Sequence, residues 1–212
     1  MEREEKQKTV KTDRGLYEWT QALVCSVLSV VLVFTFAARL IGVDGRSMVP
    51  TLQNGDRLLV VSPLLSDDYR RGDIVVLRKQ SFLPEPIVKR VIATGGQTVD
   101  IDFSAGTVYV DGQKLEEPYI AELTFEQEGM QFPLTVPEGS VFVMGDNRNH
   151  SNDSRDYRLG TVDQRYIIGK AVFLLYPGPD SETGKQAFDR IGVICGTEDV
   201  AAGLTRAQRG NG

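Results

Sequence analysis

PIVKRVIATGGQTVDIDFSAGTVYVDGQKL, residues 86–115, holds three short runs of apolar and β-branched residues with turn-forming residues between them. The runs have the length of β-strands and lie at 87–93, 97–101 and 107–110. Asp111 and Gly112 follow the third run, and this dipeptide readily takes the positive φ angles of a two-residue type I′ turn. The stretch therefore predicts consecutive strands, the last of which turns back in a hairpin.

Strand-length runs of the same kind continue on both sides of this stretch. They lie at 57–61, 73–77, 141–144 and 170–176. Because helical periodicity is scarce outside the N-terminal region, the chain predicts an all-β domain of packed antiparallel sheets or a partial barrel over 43–177. The Glu- and Pro-rich segment 116–139 predicts an excursion with one edge strand. The polar residues 178–212 form a tail to which the sequence assigns no role.

An uncharged apolar run, ALVCSVLSVVLVFTFAA at 22–38, precedes the β domain. With its apolar neighbours the run approaches the roughly 20 residues that cross a bilayer, which predicts a transmembrane anchor helix over 19–42. Five Lys or Arg residues precede the run and only Arg39 and Arg46 follow it closely, so residues 1–18 are expected in the cytoplasm. The chain is then a single-pass protein of the plasma membrane whose β domain faces outward.

Two alternatives to a membrane anchor stay open for the apolar run. A cleavable signal peptide is one, because TFA ending at Ala37 is a passable cleavage site, although the run exceeds the usual apolar region of about 7 to 15 residues. A buried helix of a soluble protein is the other, but no comparable helical pattern follows with which it would pack.

Composition argues against several classes of function. The formal net charge of -5 over 212 residues provides no basic field that would neutralise phosphates, so no nucleic-acid partner is expected. His150 is the single histidine of the chain, and zinc sites need three or four His, Cys or carboxylate ligands. Neither a metal nor another cofactor is therefore expected.

Ser47 lies in the hexapeptide GRSMVP, residues 45–50, between the apolar run and the first predicted strand. It is either an ordinary turn serine or a nucleophile, and a nucleophile needs a base that takes its proton. His150 lies in a very polar loop, where a solvated role is more usual than catalysis. A lysine can be the base only where apolar burial disfavours its ammonium form.

Lys89 is the lysine that fits this description, because it lies in the apolar run at 87–93. Side chains alternate along a strand, so Lys89 and Arg90 point to opposite faces and one of them faces the core or a cleft. The alternation alone does not decide which of the two is buried.

The loop GDNRNHSNDSR, residues 145–155, is rich in charged side chains. As a calcium loop it lacks the required alternation, since Arg148 stands where a second Asp or Asn is needed. Plain turn chemistry is the simplest interpretation. Pairing between its acidic and basic residues would stiffen the loop, and these are Asp146, Asp153, Arg148 and Arg155. Ser151 could share a hydrogen bond with a nearby amine.

Taken together, these features resemble type I signal peptidases, the membrane-anchored serine proteases that remove signal peptides from exported proteins. The resemblance rests on the apolar span followed in order by VDGRSMVPTL (43–52), RRGDIVVLR (70–78), VKRVIATGGQTVDI (88–101) and GDNRNHSNDSRDYRLGTV (145–162). Each block is weak alone, but the set in this order is highly specific. It covers the chain from the apolar run to about Tyr176.

The resemblance implies a Ser/Lys dyad on a β fold, with Ser47 as nucleophile and Lys89 as general base. Ser151 falls where the family has a serine that orients the lysine amine. The remaining matches are a structural ion pair beside the site, Asp153 with Arg155, and two residues that support the same loop, Asp146 and Arg148. His150 has no counterpart role in the family.

The resemblance also implies a substrate and its binding groups. Substrates would be signal peptides of secreted preproteins, cut after Ala-x-Ala because two shallow apolar pockets exclude larger side chains. Met48, beside the nucleophile, is the expected pocket residue. Some family members have a serine two residues before the nucleophile that serves the oxyanion hole, whereas this chain has Gly45, as Gram-positive-like members do. The expected oxyanion donors are then the backbone N–H of Ser47 and that of Gly45.

Two rival functions stay open at this point. Self-cleaving repressor-type proteases share the Ser/Lys chemistry, but the apolar run and the missing DNA-binding module count against them. A membrane-tethered β domain that binds a partner or calcium without catalysis is the other, and it would tolerate Ser47→Ala with full function.

Overall fold

The structure, a computed structural model, describes residues 2–180 and 183–194, with side chains from Gly15 onward except those of Leu16 and Val33. The chain separates into two units, residues 1–38 and residues 39–212.

The first unit is a long helix, α1 (Glu2–Leu32), which continues as a π-helical turn over Val33–Ala37. None of the described side chains in its segment Tyr17–Ala37 is buried, and the segment is long and apolar enough to cross a membrane. Hydroxyl groups within this segment donate to the carbonyl of the preceding turn, as Ser29 does to Cys25. The helical structure ends at Ala37, whereas the sequence predicted a helix over 19–42.

The seven predicted runs of apolar residues all form strands of the second unit, and further strands, among them β10 and β12, lie outside those runs. In chain order the strands are β1 (Ala38–Gly42), β2 (Arg57–Val61), β3 (Ile74–Leu77), β4 (Ile87–Thr94), β5 (Thr98–Asp102), β6 (Thr107–Val110), β7 (Gln113–Lys114), β8 (Leu134–Thr135), β9 (Ser140–Met144), β10 (Val162–Asp163), β11 (Ile167–Tyr176) and β12 (Gly192–Val193). The all-β prediction is confirmed. Strand β1, at the end of the predicted anchor, is an element that the sequence did not predict.

Two antiparallel sheets make up the fold. The larger has the strand order β1-β2-β11-β3-β4-β9-β10, with β12 also paired to β11, and the smaller has the order β7-β6-β5-β8. The predicted hairpin joins β6 to β7, where Val110 pairs with Gln113 and the two turn residues, Asp111 and Gly112, have φ angles of 52° and 75°. Strand β8 is the edge strand that the sequence predicted in the excursion 116–139.

Strand β4 is the element that matters most for function, because it runs between β3 and β9 in the larger sheet. Lys89 pairs with Val75 of β3, and Arg90 pairs with Ile74 of β3 and Met144 of β9. Apolar residues pack against both faces of the strand, with Val88 in one core cluster and Val91 in another. Both charged side chains of β4 are consequently buried, each with 3% of its surface exposed.

The described part of the tail belongs to the β domain. Strand β12 pairs with β11, so that Val193 lies opposite Phe173. Arg190 binds the fully buried carboxylate of Asp56 through two bonds of 3.1 and 2.6 Å. Residues 181–182 and 195–212 of the predicted tail lie outside the described residues.

Candidate active site

The two residues that the sequence predicts as a dyad lie next to each other. Ser47 is in the turn that precedes β2, and Lys89 is in the middle of β4. The Lys89 Nζ atom is 2.8 Å from the Ser47 Oγ atom and also donates to the carbonyl oxygen of Val88 at 3.0 Å. A proton can therefore pass directly between the amine and the hydroxyl.

Burial changes the acidity of the Lys89 amine. Loss of solvent disfavours the ammonium form and lowers the pKa of Lys89 from 10.5 to about 8, with the Arg155 guanidinium acting in the same direction. The carboxylates of Asp153, Glu128 and Asp146 oppose this change because they favour the charged amine. Since burial is the largest of these effects, a substantial fraction of the amine is neutral just above neutral pH.

The turn that carries Ser47 is held by two asparagines. Gly45 has a φ angle of 101°, which favours glycine, and its N–H donates to the Asn54 side chain at 2.9 Å. The N–H of Asn147 donates to the Ser47 carbonyl at 3.0 Å, and the Asn147 amide donates to the carbonyl of Arg46 at 3.1 Å. These bonds fix the backbone on both sides of the hydroxyl.

This bonding bears on the predicted oxyanion donors, of which the Gly45 N–H stays a prediction. The Gly45 N–H was expected to stabilise the oxyanion, but in this structure Asn54 already accepts its hydrogen bond. The Ser47 N–H donates to no group in the part of the chain that the structure describes. Ser47 therefore keeps a free backbone donor beside its own hydroxyl, as an oxyanion hole requires.

Ser151, Asp153 and Arg155 form a buried cluster on the loop after β9. Arg155 donates to both Asp153 carboxylate oxygens at 2.8 and 2.9 Å, which is the ion pair that the family resemblance implies. Ser151 donates its hydroxyl hydrogen to Asp153 at 2.9 Å rather than bonding to Lys89. In this structure the serine thus contacts the ion pair, and the orientation of the lysine comes from Ser47 and the Val88 carbonyl.

Gly145 explains how this loop approaches the Ser47 turn so closely. A Cβ atom at this position would lie 2.2 Å from the Ser151 Oγ and 2.5 Å from the Ser47 carbonyl oxygen. No side chain larger than hydrogen fits between the two loops, so glycine is required by close approach rather than by backbone angle.

Asp146 and Arg148 support the loop through partners outside it rather than through each other. Asp146 accepts from Arg90 at 2.8 and 2.6 Å, and both side chains are buried. Arg148 donates to the Glu117 carboxylate at 3.0 and 2.6 Å. The sequence analysis did not identify Arg90 as the partner of Asp146 or Glu117 as the partner of Arg148. An arginine buried in a strand nevertheless indicates that an acidic partner lies elsewhere in the chain.

Two other sequence predictions concern Met48 and His150. Met48 packs in the hydrophobic core with 1% of its surface exposed, so its role in a substrate pocket stays a prediction. The His150 side chain is 74% exposed and lies 3.9 Å from the Glu122 carboxylate, in keeping with the solvated role expected of it. Lys89, rather than His150, lies within hydrogen-bond distance of the Ser47 hydroxyl.

Asn54 and Glu128 were not singled out from the sequence. Asn54 follows the Ser47 hexapeptide closely in the chain, so its bond to Gly45 is a local contact that turn chemistry could have suggested. Glu128 comes from the excursion 116–139, and its contacts with the loop after β9 depend on how that excursion folds back.

Comparison with known proteins gives consistent matches over most of the chain. The family model described as signal peptidase, peptidase S26, matches residues 16–176. Signal peptidase I of Bacillus licheniformis is 36% identical over 179 residues, which cover 81% of this chain and 94% of that protein. Signal peptidase I T of Bacillus subtilis (strain 168) is 37% identical and covers 81% of this chain and 91% of its own length. The probable signal peptidase I-1 of Synechocystis sp. (strain ATCC 27184 / PCC 6803 / Kazusa) is 42% identical over 166 residues, with 73% and 79% covered.

Proposed function

The chain belongs to the signal peptidase family, peptidase S26, as a serine endopeptidase of the type I signal peptidases, and we propose that it cleaves signal peptides with a Ser47–Lys89 dyad. Removal of signal peptides from preproteins follows from the family. The identity of the nucleophile and the base, the cleavage specificity and the membrane anchoring are proposals that rest on features of this chain.

One observation carries the proposed dyad, namely the 2.8 Å separation between the Ser47 Oγ and a Lys89 Nζ that is buried. A serine hydroxyl is a weak nucleophile until a base takes its proton, and an ordinary lysine is protonated at neutral pH. Burial lowers the pKa of Lys89 to about 8, which supplies a neutral amine at hydrogen-bond distance. Distance and acidity together support Lys89 as the general base.

The reaction then has two halves. In the first, Lys89 Nζ takes the Ser47 hydroxyl proton while Oγ attacks the scissile carbonyl carbon, and the Ser47 N–H donates to the resulting oxyanion. The Lys89 ammonium returns the proton to the leaving amine, the C–N bond breaks and an acyl-enzyme ester remains. In the second half, a water molecule gives a proton to Lys89 and attacks the ester, and the ammonium protonates the departing Ser47 oxygen.

The surrounding charges favour the protonated state through which both halves pass. Asp153, Glu128 and Asp146 stabilise the ammonium ion, while burial disfavours it. A base whose pKa lies near 8 accepts a proton in the transition state and still releases it in the next step. The carboxylates thus limit how far burial lowers the basicity of the amine.

The segment Tyr17–Ala37 is proposed as the membrane anchor, with the N-terminus in the cytoplasm and the β domain outside. Its 21 residues would span about 31 Å as a helix, close to the thickness of the hydrocarbon core. Ser47 follows Ala37 by only ten residues in the sequence. A signal peptide held in the same bilayer would therefore meet the nucleophile at a raised effective concentration.

Specificity for Ala-x-Ala is proposed to come from exclusion of larger side chains by apolar walls near Ser47. Met48 is the neighbouring apolar side chain, and its burial makes it a support beneath such a wall rather than a mobile contact. Larger residues at the scissile position would then lower kcat/KM without forming any new contact.

The test is cleavage of a preprotein with an Ala-x-Ala site by full-length protein in detergent or lipid. Ser47→Ala and Lys89→Ala are compared with Ser81→Ala and Lys114→Ala, which alter the same residue types at exposed positions. We expect both dyad variants to lose cleavage and both controls to keep it. Cleavage by Lys89→Ala at the control rate would show that another group is the base. Retention of function by Ser47→Ala would favour the alternative that the β domain binds a partner without catalysis.

A further inference from the structure

A segment of the excursion, residues 126–130, packs against the loop after β9, residues 145–155, which carries Ser151, Asp153 and Arg155 and is called the catalytic loop below. The N–H of Met130 donates to the Arg155 carbonyl at 2.9 Å, and the Arg155 side chain donates to the Glu126 carbonyl at 3.0 Å. Gly129 forms an antiparallel bridge with Asp156. The segment is thus bonded to the loop that holds the Asp153–Arg155 ion pair.

Glu128 brings a carboxylate to this junction. One of its oxygens accepts from the Asp153 N–H at 3.3 Å, and the other lies 3.3 Å from the Arg155 guanidinium. Only 19% of its side chain is exposed. Both of its contacts are longer than the 2.8 Å bond between Arg155 and Asp153, so the guanidinium binds Asp153 more closely than Glu128.

A count of the charges around the amine shows what Glu128 adds. The groups that act on Lys89 are the carboxylates of Asp153, Glu128 and Asp146 and the guanidinium of Arg155. Asp146 is paired with Arg90, and Asp153 is paired with Arg155, so each of these pairs is neutral overall. Glu128 shares a guanidinium that is already paired, so in its ionised form it adds one uncompensated negative charge to the groups that act on the amine.

We propose that Glu128 is a positioning residue of the dyad, which acts through its charge on the Lys89 amine and through its bond to the backbone of Asp153. The inference rests on the proposed function, because it assigns Glu128 a role only if Lys89 is the base. By favouring the ammonium form, Glu128 makes Lys89 a stronger base that is neutral over a narrower pH range.

The acidity of Glu128 itself adds a consequence. Burial, the Asp153 carboxylate and Asp156 raise the pKa of Glu128 to about 7, against the opposing effects of the Arg155 guanidinium and the Asp153 N–H. Glu128 and Lys89 therefore exchange protons in neighbouring pH ranges, at about 7 and about 8. A proton on one group disfavours a proton on the other, so the titration of Lys89 is broader than that of an isolated amine.

The decisive variant is Glu128→Gln, whose amide oxygen still accepts from the Asp153 N–H but which lacks the charge. The matched control is Glu126→Gln, because the Glu126 side chain is exposed and only its backbone carbonyl bonds to the loop. The titration midpoint of the Lys89 amine is measured by NMR on full-length protein with isotope-labelled lysine, and the pH dependence of preprotein cleavage is measured in parallel.

We expect the Lys89 midpoint to fall by about 0.5 pH unit in Glu128→Gln and to stay unchanged in Glu126→Gln. Below the midpoint, cleavage relative to each variant's own plateau then rises about threefold in Glu128→Gln. An unchanged or higher midpoint in Glu128→Gln overturns the inference, whatever the cleavage rate. The wild-type titration provides a second test that needs no variant, since a single-proton curve without broadening near pH 7 also overturns it.

The NMR readout separates this inference from the proposed function. If Lys89→Ala still cleaves preprotein, the proposed dyad is wrong. A lowered Lys89 midpoint in Glu128→Gln would then show only an electrostatic contact between Glu128 and a lysine that is not the base, so the positioning role of Glu128 would be overturned as well. If the dyad variants are inactive and the midpoint does not move, the proposed function stands and only the role of Glu128 is lost.

Discussion

Replacement of Lys89 by methionine should make the protein more stable at neutral pH while it abolishes cleavage. Lys89 is buried with 3% of its surface exposed, and its pKa falls from 10.5 in an unfolded chain to about 8 in the folded protein. The unfolded chain therefore binds the proton more tightly than the folded protein does. Folding at neutral pH must bury an ammonium ion, and this cost lowers the free energy of unfolding.

The size of the effect follows from the difference between the two pKa values. A fall from 10.5 to about 8 corresponds to about 3 kcal/mol when both states are protonated, which holds below pH 8. The cost decreases as pH rises through this window, to about 1 kcal/mol at pH 9.5, and vanishes well above pH 10.5, where the amine is neutral in both states. Methionine has a similar length and no proton to lose, so its stability carries no such dependence.

The assay is denaturant unfolding of full-length wild type and Lys89→Met in detergent, at pH 7 and at pH 9.5. The difference in the free energy of unfolding between the two proteins should shrink by about 2 kcal/mol between these pH values, because the groups that do not interact with Lys89 titrate alike in both proteins. Lys114→Met, at an exposed position, serves as the control and should show no change with pH. A difference between Lys89→Met and wild type that is the same at both pH values would refute the argument that burial disfavours the Lys89 charge.

Two further predictions test contacts that hold the site. Asn54→Ala removes the acceptor of the Gly45 N–H and should lower kcat about tenfold with little change in KM, whereas Asn54→Asp keeps the acceptor and should restore most of the activity. A rate for Asn54→Ala equal to that of wild type would show that this bond does not fix the turn. Arg190→Ala should lower the free energy of unfolding by about 3 kcal/mol, because it leaves the Asp56 carboxylate buried without its cation. Arg165→Ala breaks an exposed pair with Asp163, which solvent screens, and should destabilise the protein far less than Arg190→Ala does. Equal losses in the two variants would contradict the role given to Arg190.

Signals from neighbouring residues were sufficient to predict the positions of seven strands, namely β2, β3, β4, β5, β6, β9 and β11. The predicted run at 57–61 coincides with β2, and the run at 107–110 coincides with β6, because β-branched residues and flanking turn residues act over a few positions. The hairpin at Asp111 and Gly112 was predictable for the same reason, since its φ angles depend on these two residues themselves.

Contacts between distant parts of the chain were not predictable in this way. Alternation along β4 required only that one of Lys89 and Arg90 face the interior, and the structure buries both. Arg90 can be buried because its guanidinium is paired with the Asp146 carboxylate, which accepts its hydrogen bonds. These two residues lie 56 positions apart in the sequence. No pattern within β4 encodes that partner, because the pairing exists only once β9 lies beside β4.

The sequence by itself determined an all-β domain after an apolar helix and, through its resemblance to a family, pointed to Ser47 and Lys89. Tertiary structure alone brought their side chains to 2.8 Å, gave the Gly45 N–H to Asn54 and docked Glu128 on the catalytic loop. The physical reason is that strand and turn preferences are properties of neighbouring residues, whereas the basicity of a lysine depends on burial and on charges that arrive from other strands and loops.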